Sequence, residues 1–285
     1  MKSKKLNILI TGGTGFVGKN LIENMKKEKK YSITLLIRKR VDIKDKDEIE
    51  GDLMYYDSIK NAFKDKDIVI HLANSKNYSE NVTITGNIVR ACKEMKIKKI
   101  IFTSSMSAKR AIPDLYGKSK ILSEEIIRES GLNYTLLRPS IIYGKGSTSF
   151  NFILDKTEKI PFFTPIIGNG KYILMPVHIS DVVFSIVSCI ENKKTDRKEY
   201  DIVGKDKIYF IDLVNILKKE VNDRKKNFLV PIWLCKFISI IFPKIITKEN
   251  IINFTQGSIA DTSQAREDFN YNPKEFMEGV KNGLI

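Results

Sequence analysis

Short, continuous apolar runs alternate along the chain with segments in which apolar residues recur every three or four positions. The runs are typical of strands buried on both faces, and the recurring positions are typical of amphipathic helices. Strands are predicted at 6–10, 31–37, 67–73 and 99–105, with a weaker one ending near 51, and helices near 21–25, 58–63, 82–95 and 116–126. Sustained alternation of strand and helix predicts an α/β fold with a doubly wound parallel sheet.

The first strand leads directly into a turn rich in glycine, after which a helix begins. Strand, tight glycine turn and helix in this order are the unit that holds the pyrophosphate of a dinucleotide. We expect Gly12 to permit the turn, Gly15 to let the backbone approach the pyrophosphate, and Gly18 to let helix and strand pack closely. The helix behind the glycines then faces the anion with the free N–H groups of its N-terminus, and Phe16 and Val17 stand between the glycines. All five residues belong to the predicted cofactor site.

The second strand ends at Arg38-Lys39-Arg40, where a site for NAD usually has an acidic residue against the ribose hydroxyls. Arg38 could instead pair with a 2′-phosphate through two hydrogen bonds, which favours NADP over NAD. The alternative is an exposed basic loop. Asp52 and Leu53 follow the third strand, where an acid and a backbone amide can contact adenine.

Tyr116 and Lys120 are four residues apart at the start of a predicted helix, so both project from one face. A phenol with an ordinary pKa of about 10 is a poor base at neutral pH, but a nearby ammonium group and an oxidised nicotinamide ring would favour the phenolate. Ser104 and Ser105 stand at the carboxyl end of the preceding strand, where open α/β sheets bind ligands. For His71, at the end of a buried strand, we expect packing or a local hydrogen bond.

The second half of the chain has a less regular pattern. Residues 145–171, with prolines, glycines and phenylalanines, are expected to cross the cleft, and a helix at 182–190, a strand at 199–203 and a helix at 211–221 follow. We therefore predict a dinucleotide-binding Rossmann domain at 1–160 with a returning segment at about 176–204. Residues 161–285 would form mainly a small substrate-binding lobe that is interleaved with this domain.

Residues 228–243 are strongly apolar but are interrupted by Pro231, Lys236 and Pro243. The uninterrupted stretches are shorter than the roughly 20 apolar residues that a membrane-spanning helix needs. We expect the segment to be buried over the substrate cleft. The alternative is contact with a membrane surface or with a partner protein.

Composition and charge exclude several classes of protein. The formal net charge is +15, but the lysines are scattered without interleaved aromatic residues, which favours solvated faces over a nucleic-acid interface. Cys92, Cys189 and Cys235 stand far apart and only two histidines are present, so we expect neither a disulfide framework nor a metal site. The first residues lead into the first strand without a signal peptide, which predicts a cytoplasmic protein.

Several motifs occur together in one order. They are Thr11-Gly-Gly-Thr-Gly-Phe-Val-Gly18, Gly51-Asp52-Leu53, Asp67-Ile-Val-Ile-His-Leu-Ala73, Phe102-Thr-Ser-Ser105, Tyr116-Gly-Lys-Ser-Lys120, Leu137-Arg-Pro-Ser-Ile-Ile-Tyr-Gly144 and Pro176-Val-His-Ile-Ser-Asp181. In these motifs the chain resembles the NAD-dependent epimerase/dehydratase group, which is the extended branch of the short-chain dehydrogenase/reductase superfamily. The resemblance implies that Tyr116 is the acid/base, Lys120 its partner and ribose ligand, and Ser105 the hydroxyl that orients the substrate. It also implies a cofactor site, for NADP or NAD, that includes Leu72, Ala73 and Pro139.

The resemblance implies an epimerase or oxidoreductase that acts on a hydroxyl or ketone. The expected substrate is a nucleotide sugar. One residue argues against it, because Leu174 stands where such members usually place an arginine that clamps the pyrophosphate, although Lys171 is near. The chain is also similar to the group of the complex I accessory subunit, so an NADPH-binding structural or redox-sensing protein without turnover is the alternative. Extended relatives often form homodimers through the helices near Val82 and Tyr116, and the apolar faces of these helices allow it here.

Overall fold

The computed structural model describes residues 5–38, 47–158, 162–242 and 246–281. Strands and helices alternate through the first half of the chain, in the order that the apolar pattern predicts. They are β1 (Leu6–Thr11), α1 (Phe16–Lys27), β2 (Tyr31–Ile37), β3 (Asp47–Glu50), α2 (Tyr56–Ile59), β4 (Ile68–His71), α3 (Tyr78–Glu94), β5 (Lys99–Thr103), α4 (Leu115–Glu129) and β6 (Tyr134–Pro139).

The second half contains shorter strands and more helices. They are β7 (Ile142–Tyr143), α5 (Thr148–Glu158), β8 (Phe163–Ile167), β9 (Ile173–Leu174), β10 (Val177–His178), α6 (Ile179–Ser188), β11 (Lys198–Ile202), β12 (Ile208–Tyr209), α7 (Phe210–Glu220), β13 (Lys226–Val230), α8 (Ile232–Ile241), α9 (Lys248–Thr255), α10 (Ser263–Phe269) and α11 (Phe276–Lys281). In the described part of the chain, 3₁₀ turns also lie at Lys60–Phe63 and Met106–Lys109 in the first half and at Lys193–Thr195 in the second.

Seven parallel strands form the central sheet in the order β11-β6-β5-β4-β1-β2-β3. The chain winds outward from β1 in one direction through β2 and β3, and then in the other through β4, β5 and β6. This confirms the predicted doubly wound sheet. The order reverses between β1 and β4, and the crevice at the carboxyl ends of these strands is the place where such sheets bind ligands.

The sheet is buried on both faces, which explains the continuous apolar runs. Ile8, Leu9 and Ile10 of β1 have no exposed surface. Ile8 and Ile10 pack in one apolar cluster with residues of α1, α6 and α10, whereas Leu9 packs in a second cluster with residues of α3 and α4. The glycine turn after β1 is therefore held between two well-packed layers.

Residues 145–171 contain more regular secondary structure than we predicted, since we expected an irregular segment that crosses the cleft. They include the helix α5 and the strand β8, and α5 inserts Phe150, Ile153 and Leu154 into a separate apolar cluster with Leu213 and Phe276. These three residues have the spacing of a helix. The sequence analysis missed this helix because the prolines and glycines after residue 160 indicated an irregular segment. The division into domains at 1–160 and 161–285 stays a prediction.

The apolar segment 228–243 is not buried over the cleft, so that prediction was wrong. Pro231 separates β13 from α8, and only Cys235 and Ser239 of α8 are buried. Trp233 is 70% exposed and Ile240 is 69% exposed; Pro243 lies outside the described residues. Along the described ranges, no helix has both the length and the apolar character needed to cross a membrane.

Candidate active site and cofactor cleft

The glycine turn brings the end of β1 against the segment that follows β4. Gly12 has φ +73°, and a Cβ at this position would lie 2.6 Å from the backbone nitrogen of Ala73. A side chain is therefore excluded both by conformation and by space. Gly12 permits the turn, as expected from its place in the motif.

Gly15 and Gly18 have different reasons to lack a side chain. A Cβ at Gly18 would lie 2.3 Å from the carbonyl oxygen of Gly12, so its absence lets α1 pack directly on the turn. At Gly15 the nearest atom to a Cβ is that same oxygen at 3.3 Å, and the space beyond is open. Helix α1 begins without a side-chain cap and without an acidic residue in its first turn. Its N–H groups are thus available to a phosphate, and the cradle fits a dinucleotide pyrophosphate.

A cavity of about 640 Å³ opens on one side of the turn. Loop hydrogen bonds shape its wall: Asp52 Oδ1 accepts from the backbone of Met54 at 2.9 Å, and Asn87 donates to the carbonyl of Leu53 at 2.9 Å. Arg38 is exposed at its rim, and Lys39 and Arg40 lie outside the described residues. Seven predicted cofactor residues line this cavity: Gly12, Gly15, Arg38, Asp52, Leu53, Leu72 and Ala73.

A second cavity, of about 690 Å³, continues from the turn toward β5, α4 and the small lobe. The two cavities share Gly12, Gly15 and Leu72. The other predicted residues line the second cavity: Phe16, Val17, Gly18, Ser105, Tyr116, Lys120 and Pro139. The fold therefore brings every residue of the sequence-derived site to one continuous cleft.

Tyr116 and Ser105 line the same part of the cavity. Burial raises the pKa of Tyr116 to about 12, and the neighbouring hydroxyl of Ser105 offsets this only in part. The side chains of the protein by themselves thus hold the phenol neutral at pH 7. The expectation that an ammonium group and an oxidised nicotinamide ring together favour the phenolate stays a prediction. The ring of Tyr78 lies 5.4 Å from that of Tyr116 and adds to the apolar surroundings.

The ammonium group of Lys120 is held at the carboxyl end of β5. Its Nζ donates to the carbonyl oxygen of Thr103 at 3.1 Å and lies 4.7 Å from the centre of the Phe102 ring. The residue is 3% exposed, and burial lowers the pKa of the ammonium group to about 8, although the carboxylate of Glu124 raises it. Most molecules therefore carry this buried charge at pH 7, close to its point of titration.

The start of α4 places Tyr116 against the serine strand. Asp114, which is buried, caps this helix by accepting a hydrogen bond from the backbone of Gly117 at 2.8 Å. A Cβ at Gly117 would lie 2.5 Å from the carbonyl oxygen of Ser107, so the helix packs tightly on the 3₁₀ turn after Ser105. The sequence analysis missed Asp114, although aspartate directly before a predicted helix is a recognised capping signal.

A buried ionic network supports the same region and was also missed. Glu124 accepts from Ser104 at 2.5 Å, from Arg138 at 2.8 Å and 2.7 Å, and from Arg128 at 2.6 Å. Both arginines also donate hydrogen bonds to the carboxylate of Glu199 on β11. The network ties α4, one turn beyond Lys120, to β6 and β11. No local pattern reveals it, because its members are up to 95 positions apart in the sequence.

His71 has the local role that we expected. It is buried, with Nδ1 2.9 Å from the hydroxyl of Thr11 and Nε2 3.4 Å from that of Thr85. Burial and the charge of Lys120 lower its pKa to about 3, so the ring is neutral. It links β1, β4 and α3 beneath the glycine turn.

The cysteines lie away from this cleft. Cys92, Cys189 and Cys235 are free and buried, and burial raises the pKa of Cys189 to about 12. Across the part of the chain that the structure describes, no group of three His, Cys, Asp or Glu residues could hold a metal ion.

The substrate side of the cleft contains an arginine that the sequence analysis did not identify. Leu174 lines the larger cavity, whereas Lys171 is exposed and is absent from its lining. Arg110 does line it, donates through Nη1 to the side chain of Asn253, and has an Nε that is buried without a hydrogen-bond partner in the described part of the chain. Burial lowers the pKa of Arg110. Two hydrogen bonds between Ile112 and Gln256 join the same two segments of the chain as the bond between Arg110 and Asn253.

Comparison with known proteins agrees with this geometry. The family model described as NAD(P)H-binding matches residues 12–162, which is more than half of the chain. The chain belongs to the NAD(P)H-binding family. The matched residues begin at the glycine turn and extend through both cavities as far as α5, so the prediction of NADP or NAD as cofactor is confirmed at this level.

This NAD(P)H-binding protein has relatives along its whole length. It is 26% identical to the UDP-glucose 4-epimerase of Vibrio cholerae, over 96% of this chain and 93% of the relative. It is 27% identical to a mitochondrial NADH dehydrogenase [ubiquinone] 1 alpha subcomplex subunit 9 of Dictyostelium discoideum, over 67% of this chain and 55% of that protein. The solved UDP-glucose 4-epimerase of Thermotoga maritima superposes with a TM-score of 0.76 at 21% identity, covering 97% of each chain. The resemblance to extended short-chain dehydrogenases/reductases is thereby confirmed.

Proposed function

We propose that the protein is an NAD(P)-dependent epimerase or oxidoreductase that acts on a hydroxyl or ketone carbon of a nucleotide sugar. One observation carries the proposal. Tyr116 and Ser105 line the same cavity as Lys120 and the glycine turn. A protein that only binds a dinucleotide has no chemical need for this arrangement. Similarity to a UDP-glucose 4-epimerase over nearly the full chain supports the same class of substrate.

The cofactor would be held at three places. The turn from Gly12 to Gly18 and the start of α1 would hold the pyrophosphate, the cavity beside Asp52 would take the adenosine, and Lys120 would hold the other ribose. Bound there, the nicotinamide supplies hydride exchange with a substrate carbon. Arg38 at the rim of the adenosine cavity favours the 2′-phosphate of NADP, since a guanidinium pairs well with phosphate.

Proton transfer falls to Tyr116. With a pKa of about 12 the phenol is neutral at pH 7 and can donate its proton to a substrate carbonyl oxygen. Ser105 would hold that oxygen in place. In the opposite direction Tyr116 must accept a proton and therefore has to be a phenolate beforehand, and the charge on Lys120, 5.6 Å from the centre of its ring, stabilises that phenolate.

Arg110 supports an anionic substrate. A guanidinium whose Nε has no partner in the described residues lines the cavity that holds Tyr116, and its bond to Asn253 does not neutralise its charge. We infer that it binds a phosphate of the substrate and so fills the role left open by Leu174. The neighbouring amide groups of Asn250 and Gln256 also line this wall.

Turnover with a panel of UDP- and dTDP-sugars and each of NAD⁺, NADH, NADP⁺ and NADPH tests the proposal. We expect Tyr116→Phe to retain cofactor affinity by calorimetry but to lose turnover by about 10³-fold, because general acid–base catalysis contributes on that order. Tyr55→Phe, which changes an exposed phenol elsewhere, is the matched control.

The competing hypothesis is a protein that binds NADPH without turnover, and similarity to a subunit of NADH dehydrogenase favours it. Tight cofactor binding without turnover on the whole panel would support that hypothesis over catalysis. Failure to bind any of the four dinucleotides would contradict both.

A further inference from the structure

One face of α8 carries large apolar side chains that the described protein leaves uncovered. Trp233 is 70% exposed, Phe237 57%, Ile240 69% and Ile241 49%. Their spacing of four, three and one residues places them on one side of the helix. Soluble proteins rarely expose a contiguous apolar surface of this kind unless something binds to it.

The opposite face of α8 is firmly attached to the small lobe. Cys235 packs in a cluster with Ile167 of β8 and Ile251 of α9, and Ser239 is also buried. The exposed side chains are therefore held outward by packing on the other face. Exposed apolar residues continue on the preceding strand β13, where Phe228 is 55% exposed and its ring lies 5.3 Å from that of Phe163.

Basic residues predominate around this face. Residues 224–248 contain six lysines and arginines, and Asp223 and Glu249 stand directly beyond the two ends. Lys226, Lys236 and Lys248 are exposed, whereas Lys225 pairs with Asp223 at 3.3 Å. An aromatic and aliphatic face with mainly basic neighbours has the composition of helices that lie in the interface of anionic membranes, where lysines reach lipid phosphates. We propose that the α8 face, defined as Trp233, Phe237, Ile240 and Ile241, docks the protein onto an anionic lipid surface.

A second copy of the chain fits this face less well. A two-fold interface places the same surface against itself, so the basic residues of one copy would approach those of the other. Lys236 is exposed within α8 itself, between Trp233 and Phe237 in the sequence. An anionic surface neutralises these charges, whereas self-association opposes them.

Docking would bring the substrate side of the cleft to the lipid. Helix α9 packs on α8 through Ile251, and its residues Asn250 and Asn253 line the larger cavity. The surface that contacts lipid is thus one helix away from the residues that we assign to the substrate. Docking itself does not depend on the proposed catalysis.

Trp233 is the single tryptophan of the chain, so its fluorescence reports on this face alone. Vesicles of phosphatidylglycerol and phosphatidylcholine should shift its emission to shorter wavelength, and brominated lipid should quench it. Vesicles of phosphatidylcholine alone, or anionic vesicles at high salt, should give a much smaller shift. An emission spectrum that is the same with and without anionic vesicles would overturn the proposal.

Variants of the exposed side chains test the position of the contact. The double variant Phe237→Ser/Ile240→Ser should bind anionic vesicles at least roughly tenfold more weakly in sedimentation, because it removes two large apolar groups that the lipid would cover. Met277→Ser, which removes a 53% exposed apolar side chain from α11, is the matched control and should bind as the wild type does. Equal loss in both variants would contradict the assignment. A stable dimer that buries Trp233 in the absence of lipid would assign the face to a second copy instead.

Discussion

Replacing Lys120 by methionine should stabilise the protein while it impairs cofactor binding. The side chain is 3% exposed, and burial lowers its pKa from 10.5 to about 8. A pKa shift of this size corresponds to a cost of about 3 kcal/mol for keeping the ammonium group charged in the folded protein. Methionine has a similar shape and no charge. It gives up the hydrogen bond to the carbonyl of Thr103, which is worth about 1 kcal/mol.

The free energy of unfolding of Lys120→Met should therefore exceed that of the wild type by about 2 kcal/mol at pH 7. The sign of the pH dependence follows from the proton count. Between about pH 8 and pH 10.5 the unfolded wild type keeps the proton on Lys120 and the folded protein releases it. The wild type thus gains stability relative to the variant over this range, and the advantage of Lys120→Met should vanish near pH 10.

Urea unfolding of both proteins at pH 7 and at pH 9.5 measures this difference. Lys118→Met removes a charge from the exposed side of the same helix and should show no comparable change between the two pH values. A Lys120→Met variant that is less stable than the wild type at pH 7 would refute the reasoning. A stability difference that is the same at both pH values would refute it as well.

Four further substitutions have defined outcomes. Arg38→Ala should weaken NADPH binding by about tenfold or more and leave NADH binding unchanged in calorimetry, since the arginine would pair with the 2′-phosphate alone. Arg110→Gln should raise KM for a nucleotide sugar by about tenfold or more without changing cofactor affinity, and an unchanged KM would remove its assignment to the substrate phosphate. Gly18→Ala should destabilise the fold by about 2 kcal/mol or more in thermal unfolding, because its Cβ would lie 2.3 Å from the Gly12 carbonyl oxygen. Gly86→Ala, within α3 and with nothing within 4 Å of the added carbon, should instead stabilise it by about 0.5–1 kcal/mol.

Much of the cleft was predictable because its signals are local. The glycine turn lies between one strand and one helix, and Tyr116 and Lys120 lie within one helical turn. Steric limits on the backbone and the periodicity of buried positions are properties of short segments, so they can be read without a fold. The parallel order of the sheet then brings Ser105 and Pro139, at the ends of neighbouring strands, to the same cleft.

The electrostatics of the cleft could not be predicted in this way. The direction of the shift in the Tyr116 pKa depends on how completely surrounding residues exclude water, and burial raises this pKa although Ser105 and Arg110 lower it. The role of Glu124 could not be predicted either, because no local sequence pattern marks this residue. Only the pairing of β6 with β11 brings Arg138 and Glu199 together beside it.

By itself, the sequence determined the order of strands and helices in the first half of the chain and the dinucleotide turn, because each depends on neighbours a few positions apart. The roles of Ser105, Tyr116 and Lys120 stay predictions. The tertiary structure decided which distant side chains meet and which apolar residues are covered. Arg110 and Asn253 come into contact across 143 positions, and α8 keeps Trp233 exposed although its segment reads as a buried one. Burial and long-range contacts arise only when distant segments pack together, so they cannot be predicted from any one segment of the chain.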